Sequence, residues 1–249
     1  MNELRGTLVR PDGVPLAWAA LPGTGPAVVF LGGFRSDMEG TKAIHLRDAC
    51  AARGRAFLRL DYSGHGASGG DFEDGTIGAW AEDAALVIGA CAPGPVVLVG
   101  SSMGGWIALL LTRRWGETRV RGLIGLAAAP DFTEALIPAE LTEADRATLA
   151  RDGVLRRPSA YGEPIPITAR LLEEGRDQLL LGAPISFAGP VRLLQGMADP
   201  DVPWQHALRI VSALAGADVQ LTLIKDGDHR LSRPEDLALL TRTLDALPD

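Results

Sequence analysis

Short apolar runs alternate along the chain with longer stretches whose apolar residues recur at helical spacing. This pattern predicts a mostly parallel central sheet with helices on both faces. Leu4 to Arg10 and Leu16 to Leu21, joined by Pro11-Asp12-Gly13, read as an antiparallel hairpin at one edge. Ala27 to Leu31 is a buried strand, Thr41 to Arg53 a helix stopped by Gly54, and Ala56 to Leu60 the next strand. A glycine-rich loop over Asp61 to Asp74 precedes a helix over Thr76 to Cys91, with Trp80, Ala84, Val87 and Ile88 at helical spacing. Pro95 opens the strand Val96 to Val99, and Met103 to Trp115 follows as a helix with little polarity before Thr112. That pair belongs at the centre of the sheet. Arg121 to Ala127 is another strand.

There the alternation breaks. From Asp131 to about Ala188 the polar and apolar pieces are short, with Pro138, Pro158, Pro164, Pro166 and Pro184 as interruptions. The segment reads as an inserted cap: a helix near Thr142 to Arg151, a hairpin from Val154 to Thr168 and a helix from Thr168 to Leu180. The sheet resumes at Val191 to Leu194, followed by helix Trp204 to Leu214, strand Val219 to Ile224 and helix Pro234 to Leu247. Proline suits the first turn of that last helix, where its missing N–H would be unpaired anyway. The expected organisation is a core of residues 1–130 and 189–249 with a cap over 131–188.

Composition narrows the partners. The 249 residues are 47% hydrophobic and 22% charged, ordinary for one globular domain, with a formal charge of −7. That charge, with no basic run beyond the pairs Arg113-Arg114 and Arg156-Arg157, argues against nucleic acid or an anionic membrane as partner. No apolar run reaches the roughly 18 residues of a membrane span. Cys50 and Cys91 are too few for a disulfide framework and lack CxxC spacing, so each reads as a buried free thiol on a helix. Met1-Asn2-Glu3-Leu4-Arg5 has no basic region leading into an apolar core, so the expected location is the cytoplasm.

The chemistry concentrates at Gly100-Ser101-Ser102-Met103-Gly104, a GxSxG elbow between a predicted strand and a predicted helix. A strand that turns at once into a helix forces the serine into strained backbone, and glycines at 100 and 104 remove side chains that would collide there. Ser102 is the expected nucleophile of an α/β-hydrolase fold. The backbone N–H of Met103, at the helix N-terminus, is one expected oxyanion donor. Gly66-Ala67-Ser68-Gly69-Gly70 matches the same pattern, but no apolar strand precedes it and Asp71-Phe72-Glu73-Asp74 follows it, so Ser68 is rejected.

The base must lie beyond the elbow in the order Ser, acid, His. Of four histidines, His65 precedes the elbow, while His45 and His206 fall in or beside helices. His229 follows the strand Val219 to Ile224 and is the expected base. The acid should follow Val191 to Leu194. Asp199, in the frame D-x-x-V-P, is preferred over Asp201, which reads as a turn or helix-capping carboxylate. Leu31-Gly32-Gly33-Phe34 follows the strand from Ala27, which makes the Phe34 N–H the second expected oxyanion donor. The chemistry requires no metal and no organic cofactor.

Several pieces together are more specific than the elbow: Phe34-Arg35-Ser36-Asp37-Met38 with Gly40-Thr41-Lys42-Ala43, Asp61-Tyr62-Ser63-Gly64, Gly100 to Trp106, Gly196-Met197, Val202-Pro203-Trp204, Asp228-His229-Arg230 and Pro158-Ser159-Ala160-Tyr161. From about Ala27 to the C-terminus the chain resembles the mitochondrial palmitoyl-protein thioesterases of the α/β-hydrolase-domain group, which also hydrolyse acyl glucuronides. The resemblance implies Ser102, Asp199 and His229 as a catalytic triad and a small-molecule or protein-linked acyl ester or thioester as substrate. From its first residues no transit peptide is expected, which departs from that group, as does Gly32 standing where many α/β-hydrolases have histidine. Alanine- and arginine-rich composition gives the chain a bacterial look.

The expected activity is thioester or ester cleavage through an acyl-enzyme, with a carboxylesterase on oxygen esters, including acyl glucuronides, as the alternative. Dehalogenase or epoxide-hydrolase chemistry needs aspartate at the elbow and is excluded by Ser102. An inactive binding module of the same fold would usually lack a triad member. The cap residues Ile137, Leu141, Leu149, Leu155, Ile165, Ile167, Leu171 and Leu172 either cover an acyl chain or form the cap's own core.

Overall fold

A computed structural model describes residues 3–159 and 162–247. Ala160 and Tyr161 of the cap match lie outside the described residues, as do Met1 and Asn2. Ten strands and nine α-helices are assigned among the described residues, eight of the strands in one sheet ordered β1-β2-β4-β3-β5-β6-β9-β10. The edge hairpin is β1 (Leu4–Val9) antiparallel to β2 (Pro15–Leu21), and β2 joins β4 (Arg55–Leu60) antiparallel. From β4 onward, β3 (Thr24–Leu31), β5 (Val96–Ser101), β6 (Val120–Leu126), β9 (Val191–Gly196) and β10 (Val219–Ile224) are all parallel.

Side chains of the central strands alternate between two cores. Val29, Leu31, Leu98 and Leu123 point into the larger one, with α2 (Ile77–Cys91) and α3 (Met103–Arg119). Val28, Phe30, Val97, Val99 and Ile124 point into the other, with α1 (Thr41–Arg53) and α9 (Pro234–Asp245). This period of two along parallel strands requires cover on both faces, which is why these runs read as continuously apolar. Boundaries are local. Gly54 closes α1 in the left-handed region at φ 65°, and Thr76 caps α2 through the Ala79 N–H.

Between β6 and β9 lie α4 (Phe132–Ala135), α5 (Ile137–Glu140), α6 (Glu143–Asp152), the antiparallel hairpin of β7 (Val154–Ser159) and β8 (Gly162–Thr168), and α7 (Ala169–Gly175). Two expectations need correction. The short helices α4 and α5 are absent from the sequence reading. The helix foreseen over Thr168 to Leu180 ends in a single 3-10 turn at Gln178, because the Asp131 carboxylate takes the N–H groups of Leu180 and Leu181, each at 2.8 Å. A carboxylate acceptor for two amides outcompetes further helical bonds there. Cys50 is buried, but Cys91 is only half-buried, short of the expectation. After β9, α8 (Trp204–Ala213) packs back on the sheet. No helix of the described residues is long and apolar enough to cross a membrane.

Candidate active site

Ser102, Asp199, His229 and Phe34 all follow the C-terminal ends of parallel strands, where open α/β sheets gather their ligands. Ser102 sits between β5 and α3 at φ 54° and ψ −118°, a conformation that costs a non-glycine residue about 1–3 kcal/mol. The turn is held by Ser102 N–H to Leu126 O (2.9 Å) and by Ala129 N–H to Ser102 O (3.1 Å). The flanking glycines are sterically obligatory, though for a reason the sequence reading placed differently. A Cβ on Gly100 would lie 2.2 Å from the Gly104 carbonyl oxygen, and one on Gly104 would lie 2.1 Å from that of Leu31. Both clashes are with backbone, so the elbow is wedged against the end of β3.

Three predicted residues form one hydrogen-bonded line. His229 Nε2 is 3.1 Å from Ser102 Oγ, and His229 Nδ1 is 2.9 Å from Asp199 Oδ2. With Nδ1–H donating to the carboxylate, Nε2 is left to accept from the serine hydroxyl. The other Asp199 oxygen accepts the N–H groups of Asp201 (2.8 Å) and Val202 (2.9 Å). Burial alone would raise the Asp199 pKa, but His229 and these two amides outweigh it and hold the carboxyl below its usual value. Gln195, which the sequence reading passed over, donates from Nε2 to Asp199 Oδ2 at 3.1 Å. Its signal was an uncharged amide near the end of the strand Val191–Gly196, whose other polar residue is Arg192.

Asp201 does not play its expected capping role. Pro203 occupies the cap position of α8, and the Asp201 carboxylate is exposed beside the apolar cleft described below. The Ser68 hydroxyl donates to Asp61 O (2.7 Å) and accepts from Ala17 N–H (2.8 Å), so both its bonds go to backbone and none to a histidine ring. His45 bonds Thr241 Oγ1 at 2.7 Å, and buried His206 bonds the Pro130 carbonyl at 2.7 Å.

Gly33 brings its Cα beside Ser102: a Cβ built there would lie 3.4 Å from the serine Cβ. Among the described residues the N–H groups of Phe34 and Met103 donate to no protein acceptor. Both residues line the cleft that opens at Ser102. Two unspent N–H donors thus flank the Ser102 hydroxyl, an arrangement able to receive a negatively charged oxygen.

Two clefts meet at Phe34, Ser102, Ile165 and His229. One is polar, with Arg35, Ser36, Thr41, Lys42, Arg230 and Ser232 on its walls. Lys42 Nζ donates to the Arg230 carbonyl, and burial, then the Arg230 charge, lower its pKa to about 8. The other cleft is apolar, walled by Phe132, Leu136, Ile137, Ile167 and Val202, with the Glu140–Arg157 ion pair (2.6 Å) among its lining. The apolar residues of the expected cap segment therefore divide. Ile137, Ile165 and Ile167 line this cleft, while Leu141, Leu149, Leu155 and Leu171 are buried in the larger core cluster without lining it, and Leu172 packs against that cluster.

The sequence model of the Alpha/beta hydrolase family matches residues 28–238. The human mitochondrial palmitoyl-protein thioesterase ABHD10 is 37% identical over 249 residues, covering 97% of this chain and 79% of that protein. A putative hydrolase from Agrobacterium vitis superposes with a TM-score of 0.93 at 43% identity, covering 100% of this chain and 99% of that one. The mouse alpha/beta hydrolase domain-containing protein 10 superposes at 0.90 with 35% identity, covering 98% of each chain. The family match runs unbroken from the strand before Gly33 to the helix after His229, and so takes in every residue of the hydrogen-bonded line: this chain belongs to the alpha/beta hydrolase family.

Proposed function

We propose that the chain is a serine hydrolase that cleaves acyl thioesters or esters by two-step acyl transfer. The observation that carries this reading is the continuous line Asp199–His229–Ser102 at the junction of an apolar and a polar cleft. In the first step Ser102 Oγ attacks the acyl carbonyl as its proton passes to His229 Nε2. Asp199 holds the imidazole and stabilises its positive charge, while the Phe34 and Met103 N–H groups receive the oxyanion. Collapse expels the thiol or alcohol, which takes the proton from His229. Water then attacks the acyl-serine, giving its proton to His229, and the free acid leaves with Ser102 restored.

The apolar cleft suits the acyl chain, and the relatives named palmitoyl-protein thioesterase support a thioester with a long one. If so, kcat/KM should rise about fourfold for each added methylene, at about 0.8 kcal/mol each, until the cleft is full. Thioesters of two to sixteen carbons provide the test. Leu136→Asn, on the cleft wall, should flatten the profile, whereas Leu149→Asn, in the core cluster, should first lower the melting temperature. A profile that peaks at acetyl and falls steadily would contradict the long-chain reading.

A second reading, a carboxylesterase on oxygen esters including acyl glucuronides, is favoured by the polar wall of Arg35, Lys42 and Arg230 on the other side of Ser102. Rates on matched thioester and oxygen-ester pairs separate the two.

A further inference from the structure

We infer that His65, which lies outside the triad, is a positioning residue that holds the oxyanion loop in its working conformation. The inference rests on the proposed role of the Phe34 N–H. Residues 33–36 form a tight turn closed by Ser36 N–H to Gly33 O at 3.1 Å. Its third residue is Arg35, at φ 56°. A positive φ there is what a type II turn demands, and that position normally takes glycine or asparagine. A residue with a Cβ and a long charged side chain on this backbone needs support from outside the turn.

His65 supplies it. Its Nδ1 lies 3.1 Å from the Ser63 carbonyl, which can only accept, so Nδ1 carries the hydrogen. That leaves Nε2 as an acceptor, and the Arg35 N–H donates to it at 3.3 Å. Only the neutral ring in this tautomer satisfies both bonds; a protonated ring would set one N–H against another. The surroundings favour the neutral form. His65 is 3% exposed, with Tyr62, Phe72 and Trp80 edge-on at ring-centroid distances of 5.4, 5.0 and 5.1 Å. Burial, aided by the Arg35 charge, pushes its pKa down to about 4, against weaker opposing effects of the Ser63 carbonyl and Asp83.

The same cluster grips the next part of the loop. The Phe34 ring lies edge-on to Phe72 at 4.9 Å and to Trp80 at 5.8 Å. Arg35 in turn reaches the cap hairpin through Nη1 to the Pro164 carbonyl at 2.9 Å. The turn that carries the Phe34 N–H is thus fixed at its backbone by one imidazole nitrogen. Without that acceptor the turn relaxes toward a form with no positive φ, and the Phe34 N–H moves off the oxyanion position.

His65→Phe keeps the aromatic packing and removes the acceptor, while His65→Gln returns an acceptor oxygen near the Nε2 position. With an octanoyl thioester, His65→Phe is expected to lower kcat by about 10- to 100-fold, short of the roughly 10²–10³ caused by outright loss of one donor. KM should stay within about twofold, and a trifluoromethyl ketone of the same acyl chain should lose affinity in step with kcat. His65→Gln should recover most of both. A His65→Phe enzyme with kcat within twofold of the parent, or a kcat loss that follows melting temperature and that Gln does not rescue, overturns the inference. Fluorophosphonate labelling of the parent at Ser102 keeps the two readings apart. Labelling with an indifferent His65→Phe variant sinks only the role of His65, whereas a parent that neither labels nor turns over sinks the hydrolase reading and this one with it.

Discussion

Ser102→Ala and His229→Ala are each expected to lower kcat by roughly 10⁶-fold, and the double variant to be scarcely worse than either alone. Members of a triad act as one unit, so each single loss removes most of what the set provides; in subtilisin the loss is of that order. Here Ser102, His229 and Asp199 lie in one line of hydrogen bonds, 3.1 Å and 2.9 Å long, and among the described residues no other basic group is hydrogen-bonded to the serine hydroxyl. His65 and His206 are engaged with Arg35 and Pro130, and His45 with Thr241. Steady-state kinetics with folded variants checks this. Ser68→Ala is the control. It removes bonds to Ala17 and Asp61 and should cost about 1–3 kcal/mol of stability, leaving kcat nearly unchanged. Activity surviving in Ser102→Ala but not in Ser68→Ala would move the nucleophile to the glycine-rich loop.

Asp199→Asn should be the next most damaging change, by roughly 10⁴-fold in kcat as in the serine proteases. The mechanism is a tautomer error. The amide nitrogen of asparagine donates to His229 Nδ1, which moves the imidazole proton to Nε2 and leaves nothing to accept the Ser102 proton. The backbone bonds from Asp201 and Val202 to the other oxygen can persist, so the loop keeps its shape and the loss is chemical. Asp201→Asn should retain most activity, because that carboxylate is exposed and only its N–H enters the network. The opposite ranking, with both variants folded, would reassign the acid to Asp201.

Legibility in the sequence followed the range of the forces involved. Elements set by neighbours along the chain were readable: α1 stops at Gly54, α2 starts at Thr76, and β10 spans Val219–Ile224, each bounded by its own residues. The elbow was readable because its glycines and flanking elements are contiguous. What stayed hidden depends on residues far apart in sequence. Asp131 ends the helix at Gln178 from 49 residues away, an interaction that no local pattern records. Asp201 looks like a cap before Trp204, but Asp199 captures its N–H, and Pro203 takes the cap position. The roles of Gln195 and His65 exist only once β9 meets its loop and β4 meets β3. The apolar residues between 131 and 188 could not be divided between cleft and core, since the β7–β8 hairpin alone presents both kinds, Leu155 in the core cluster and Ile165 and Ile167 at the cleft.

The account turns on Ser102 being a nucleophile activated by His229. Incubating the protein with a fluorophosphonate and mapping the modified peptide by mass spectrometry addresses this directly. One adduct per chain is expected, on Ser102, with labelling abolished in Ser102→Ala, strongly slowed in His229→Ala and unaffected in Ser68→Ala. No adduct on the folded protein, or an adduct on another serine that persists in Ser102→Ala, would contradict it.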